Sequence, residues 1–192
     1  MPSTPSDFVF LAGFVVYTGT RHVYQSRVRD ETSVESRDGG AEEVLLPLVL
    51  LGCLVLPLLS LFTPLLDFAD YETAPSTLWL GTAVLVAALW LFWRSHADLG
   101  RNWSITLEIR EDHRLIDRGV YRRIRHPMYA AVFLFGIAQA LLLANLVAGA
   151  SALATFTPLY FARVKREEAM MRDRFGNAYI EYEKRTSRLL PR

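Results

Sequence analysis

One cysteine in 192 residues, Cys53, excludes an intrachain disulfide. It lies within "LVLLGCLVLPLL", where a small side chain packed among apolar neighbours is the simplest reading. The chain also lacks a charge surplus: 21 Lys and Arg against 20 Asp and Glu leave a formal net charge of +1. Without a basic face to meet phosphates, nucleic-acid binding has no footing. His22, His96, His113 and His126 show no ligand spacing and no cysteine pair joins them, so no metal site is indicated. There is no G-x-G-x-x-G after a strand, no P-loop and no G-x-S-x-G elbow, which removes dinucleotide, nucleotide and serine-hydrolase chemistry. The opening "MPSTPSD" has neither a positive region nor a cleavage site at a suitable distance, so the first apolar stretch is expected to be retained.

What is present is segregated. Hydrophobic residues make up 52% of the chain and charged residues 21%, with a mean hydropathy of +0.19, a combination that requires apolar blocks separated by polar connections. Four blocks stand out, Phe8 to Val23, Val44 to Leu66, Ser76 to Trp93 and Tyr129 to Ala162. A span takes about 20 helical residues, so each of the first three is one crossing. The fourth would make a helix about 51 Å long and carries "ANLVAGAS" (144 to 151) near its middle, which predicts a tight helical hairpin. The expectation is an all-α polytopic membrane protein of five transmembrane helices, the last two a hairpin. Within the blocks Gln139 is the one strongly polar side chain deep in a span, which disfavours a pump or channel. Pro47, Pro57 and Pro64 should bend or end the second span.

All 21 Lys and Arg fall in segments 21 to 43, 94 to 128 and 163 to 192. The positive-inside rule then puts the N-terminus outside, the C-terminus in the cytoplasm, and any chemistry in a cytoplasmic cap. Residues 1–192 read as a single integral-membrane domain, with three spans in 1–93 and the catalytic part in 94–192. The C-terminal part reads as a helix stopped near Gly176 and a short helix carrying Tyr179 and Tyr182.

Several polar residues cluster at the membrane ends. Arg163 and Glu167, four apart, share a helical face. They form either a local ion pair with an anchoring role or an arginine fork for a carboxylate or phosphate. The adjacent Glu168 is expected to face solvent. Arg122 and Arg123 are explained by headgroup contact with membrane lipids. His126 precedes Pro127, which fixes the backbone and holds the imidazole beside Tyr129 as a structural or ligand-facing group. Tyr121 and Trp103 fit an aromatic belt, or a face on which adenine or a sulfonium could pack.

Taken in order, "HRLIDRGVYRRIRHPMY" (113 to 129), an apolar hairpin, "RVKREE" (163 to 168) and "FGNAYIEYEKRTSRLLP" (175 to 191) resemble the isoprenylcysteine carboxyl methyltransferase family. The resemblance covers about the C-terminal half. It implies an enzyme of the protein-S-isoprenylcysteine O-methyltransferase type, moving a methyl group from S-adenosylmethionine to the carboxylate of a prenylated or otherwise lipidic acceptor that arrives from the bilayer. By position it assigns His113, Leu115, Ile116, Tyr121, His126, Pro127 and Tyr129 to the cofactor, and Arg163 and Glu167 to catalysis beside the acceptor. Phospholipid N-methyltransferases share parts of the pattern, which makes a phosphatidylethanolamine-type amine the alternative acceptor. A lipid-binding membrane protein without catalysis is the alternative class.

Overall fold

The computed structural model describes residues 2–28, 35–36, 40–100, 108–109 and 115–191; His113 and Trp103 therefore lie outside the described residues. Helices dominate, and the described strand content is one antiparallel two-residue pairing of β1 (Glu35–Ser36) with β2 (Glu108–Ile109).

Helix α1 (Pro5–Val28) opens on a reciprocal cap. Asp7 Oδ2 accepts from the amides of Ser3 and Thr4 at 3.0 Å, and Thr4 Oγ1 accepts from the Asp7 amide at 3.3 Å. Pro5, just inside the start, gives up no bond there.

The second apolar run is continuous but not uniformly α-helical: α2 (Gly40–Leu50) widens into a π-helical turn (Leu51–Val55) before α3 (Leu56–Phe62). The proline pattern explains the widening. In the wide turn the Leu56 amide bonds back to Leu51 O, and Pro57 has no N–H to offer, so the Gly52 carbonyl is left for outside donors. Gln139 Nε2 at 3.0 Å and Ser151 Oγ at 2.7 Å take it. Gly52 is required here, because a Cβ would meet Thr155 Oγ1 and stand 2.5 Å from the Ser151 carbonyl oxygen. The buried Gln139 thus ties three helices rather than lining a pathway. Pro64 begins a 3-10 turn (Pro64–Ala69), and the apolar run ends as expected.

Helix α4 (Pro75–Leu99) stops at Gly100, whose φ of 57° ends the helix. The predicted hairpin is α5 (Pro127–Leu142) and α6 (Leu146–Phe175). Asn145 makes the turn: its Oδ1 caps α6 at the Ala148 amide, 2.8 Å, while Nδ2 donates to Leu66 O and Asp70 Oδ1, both at 2.7 Å. Gly149 lets the two helices close, with the Ala140 Cα 3.2 Å from where a Cβ would stand. The apolar core between α1, α4 and α5 is built on Phe10, Leu85, Ala88, Phe135 and Leu142. Many large apolar side chains, among them Trp79, Val86, Trp90 and Phe161, point outward.

Among the described residues two helices are long and apolar enough to cross a membrane, Glu43–Phe62 and Pro75–Leu99; Pro127–Leu142 is apolar but shorter. The 30 residues of α6 reach about 45 Å, well beyond the roughly 30 Å of a hydrocarbon core. Its charged last turns, from Arg163 on, continue beyond the apolar part of the helix itself. There Gly176, at φ 53°, stops α6 and turns the chain into α7 (Asn177–Arg185).

Candidate active site

The polar site forms where the start of α5, the last turns of α6 and the chain after α7 converge. Pro127 at the first position of α5 sacrifices no helical bond and sets the direction of His126 and Tyr129. The segment before it is zipped to the tail: the Arg125 amide bonds Ser187 O at 2.7 Å and the His126 amide bonds Arg188 O at 2.9 Å. The tail is thereby fixed against the mouth of α5.

Glu168 is the hub. Contrary to the solvent-facing expectation, it is 1% exposed, because α6 turns this position toward the tail rather than away from it. Arg188 grips its carboxylate with Nε at 2.9 Å and Nη2 at 2.6 Å. Arg125 reaches it at 3.4 Å, His126 Nε2 at 3.3 Å and Arg172 Nη2 at 3.7 Å. Burial by itself raises the carboxyl pKa, but the hydrogen bonds from His126 and Arg188 outweigh it and hold the group well below the usual carboxylate range. A buried carboxylate is tolerable only when paired this fully. Arg125 also donates to the carbonyls of Thr186 and Glu183, so it is a structural clamp, whereas Arg122 and Arg123 are exposed as headgroup anchors would be.

Glu167 takes the other direction. Its Oε2 accepts from the Tyr129 hydroxyl at 2.7 Å and lies 3.8 Å from His126 Nδ1, with the side chain about a third exposed at 34%. The imidazole thus stands between two carboxylates, and its ring stacks on Tyr129, centroids 5.5 Å apart at 17°. Tyr160 meets Tyr129 edge-on at 5.6 Å. Arg163, one turn before Glu167 on α6, is buried at 9% exposure. Tyr121 is buried on a 3-10 turn (Gly119–Arg122), and its carbonyl accepts from the Tyr182 hydroxyl at 2.7 Å.

Of the predicted residues, His126, Pro127, Tyr129, Arg163 and Glu167 come together at one end of the α5–α6 hairpin, and Tyr121 stands close enough for the Glu167 carboxylate to raise its phenol pKa further, after burial has done most of it. Leu115 and Ile116 lie partly buried just before the Tyr121 turn. Sequence reasoning set Glu168 in solvent and gave Arg125 and Arg188 no part in the site. Glu168 adjoins Glu167 in a visible "EE" pair, but its inward direction depends on a tail 20 residues away.

Chemically, the arrangement offers a partly open carboxylate flanked by aromatic rings, suited to a cationic ligand with a flat apolar part, beside a buried guanidinium suited to an anion. Among the described residues no three His, Cys, Asp or Glu side chains gather as a metal centre would require.

These features define a helical protein with membrane-type apolar helices whose polar site is assembled at the foot of a helical hairpin and closed by the C-terminal tail. The isoprenylcysteine carboxyl methyltransferase family model matches residues 79–173, a stretch that holds His126, Tyr129, Arg163, Glu167 and Glu168. Protein-S-isoprenylcysteine O-methyltransferase B of Arabidopsis thaliana is 33% identical over 95 residues, 48% of each chain. The Homo sapiens protein-S-isoprenylcysteine O-methyltransferase is 33% identical over 90 residues, 47% of this chain and 32% of that one. The chain thus aligns with about half or less of the length of those two relatives. The solved structure of a eukaryotic intramembrane Ras methyltransferase, an isoprenylcysteine carboxyl methyltransferase, superposes over 98% of this chain and 68% of its own with a TM-score of 0.62 at 21% identity, a likeness of fold. Residues 79–173 thus carry a family likeness to the isoprenylcysteine carboxyl methyltransferases, and the chain as a whole a likeness of fold.

Proposed function

We propose that this protein transfers a methyl group from S-adenosylmethionine to the carboxylate of an isoprenylcysteine or similar lipidic acceptor at the cytoplasmic face of a membrane. In this reading residues 1–192 form one domain with five spans and an external N-terminus, 1–93 supplying three spans and 94–192 the catalytic part. The observation that carries it is the 2.7 Å bond from Tyr129 to Glu167. It joins the mouth of α5 to α6 one turn from the buried Arg163, so that a carboxylate and a guanidinium share one face of α6.

When bound, S-adenosylmethionine supplies an electrophilic methyl carbon on a cationic sulfur. The protein has to position and desolvate. An acceptor carboxylate, with an unperturbed pKa of about 4, is already ionised at neutral pH and needs no general base. Arg163 orients that carboxylate without protonating it. Glu167, held by Tyr129, faces the cationic end of the cofactor, and Tyr121, His126 and Pro127 complete the seat with Leu115, Ile116 and His113. Alignment of this kind contributes roughly 7 to 11 kcal/mol when reacting atoms are pre-organised. The acceptor's lipid tail reaches the site sideways through the outward apolar faces.

Calorimetric titration of the detergent-purified chain with S-adenosylhomocysteine tests the reading. Binding at micromolar levels supports it, and no heat at millimolar ligand removes it. With binding established, product analysis on a prenylcysteine and on a phosphatidylethanolamine analogue decides between carboxylate and amine acceptors.

A further inference from the structure

We infer that Asp98, at the end of α4, is a positioning residue that presents Tyr121 to the cofactor seat; the inference rests on the methyl-donor reading above. The 3-10 turn that carries Tyr121 follows Arg118, which supplies no side-chain cap, so its first amides need an acceptor from elsewhere. Asp98 provides it from 22 residues away, Oδ2 accepting from the Val120 amide at 2.9 Å.

Two further features show that the contact is built for this turn. The Asp98 carboxylate lies directly over Gly119: a Cβ there would collide with Oδ2 and stand 2.6 Å from Oδ1, and Gly119 has φ 60°. Glycine is thus demanded both by backbone conformation and by the approach of the carboxylate. The second oxygen is also assigned, because Arg94 Nη2, one helical turn earlier on α4, lies 2.9 Å from Oδ1 while the Asp98 side chain is only 10% exposed. The pair with the half-exposed Arg94 adds little energy but fixes which way the carboxylate turns.

The turn is then held from two sides, by Asp98 on α4 at Val120 and by Tyr182 on α7 at the Tyr121 carbonyl, 2.7 Å. Burial raises the Tyr121 phenol pKa most, and the Glu167, Tyr182 and Asp98 charges raise it further. Losing Asp98 leaves the tail side of the turn anchored and its α4 side loose.

The test uses the full chain in detergent, with S-adenosylhomocysteine as the probe and backbone hydrogen exchange as a readout independent of activity. Wild type should bind the probe and show a protected Val120 amide. Asp98→Ala should weaken binding about tenfold, the usual scale for a lost hydrogen bond to a charged group. The same variant should speed exchange across 119–122 about tenfold while α5 and α6 stay as protected as before. Asp98→Asn, which keeps an oxygen for Val120, should restore binding to within about threefold of wild type. An unprotected Val120 amide in the wild type overturns the inference, as does Asp98→Ala with wild-type affinity or with exchange raised equally in every helix. A wild type that does not bind the probe refutes instead the methyl-donor reading on which the inference stands.

Discussion

Arg188 and Glu168 form a two-pronged ion pair, Nε to Oε1 at 2.9 Å and Nη2 to Oε2 at 2.6 Å, in which the carboxylate is buried and the guanidinium half-exposed. It is one of the contacts that hold the tail on the helical hairpin. Arg188→Ala should lower stability by about 1 to 2 kcal/mol, less than the 3 to 5 for breaking an isolated buried pair, because Arg125, His126 and Arg172 remain around the carboxylate. A thermal melt in detergent reads the change, and an unaltered midpoint would remove the tail's structural role.

The same carboxylate should leave a signature in acid. Its folded pKa lies below the ordinary 4.5, so between the two values the unfolded chain binds more protons than the folded one. The stabilisation is therefore complete above pH 4.5 and is lost as pH falls toward the folded pKa. Wild-type melting temperature should drop between pH 5 and pH 3 more steeply than that of Glu168→Gln, and parallel curves would contradict this.

Tyr129→Phe removes only the hydroxyl that fixes Glu167. Affinity for S-adenosylhomocysteine should fall about tenfold, with stability changed by about 1 kcal/mol or less. Calorimetry and a melt on one preparation separate the two quantities.

Arg163→Ala should lower turnover at least a hundredfold and leave S-adenosylhomocysteine affinity within about threefold, since the guanidinium is assigned to the acceptor and not to the donor. An equal loss in both would move Arg163 to the cofactor side.

Gly52→Ala puts a methyl against Thr155 and 2.5 Å from the Ser151 carbonyl oxygen, forcing α6 away from the wide turn. The overpacking should destabilise by about 1 to 3 kcal/mol. Gln139→Leu, which removes one of the two donors to the Gly52 carbonyl, should cost about 1 to 2 kcal/mol. Because both act on one knot, the double variant should be less damaging than the sum.

The helices and their order were legible because apolar blocks of span length alternate with charged connections, and because Asn145, Pro127 and Gly176 mark their ends by local chemistry. The candidate residues on α5 and α6 were picked out by their resemblance to a family pattern, and the four-residue spacing of Arg163 and Glu167 put those two on one face. What could not be read was direction across the molecule. Glu168 is one step from Glu167, and only the tail's return to Arg125 and His126 decides that it points inward. The π-helical turn was hidden for a similar reason. Pro57 signals a disturbance, but the donors that settle it, Gln139 and Ser151, come from helices far away in the chain.

The pairing of Arg125 and His126 with Ser187 and Arg188 also sets an order of manufacture. Every described helix leaves the ribosome before the strip of chain that closes the site. A nascent protein can therefore insert its apolar helices while its polar centre is still open, and the buried carboxylate of Glu168 finds its two-pronged partner only when synthesis has passed Arg188. The polar centre therefore closes only after the helices that frame it have been made.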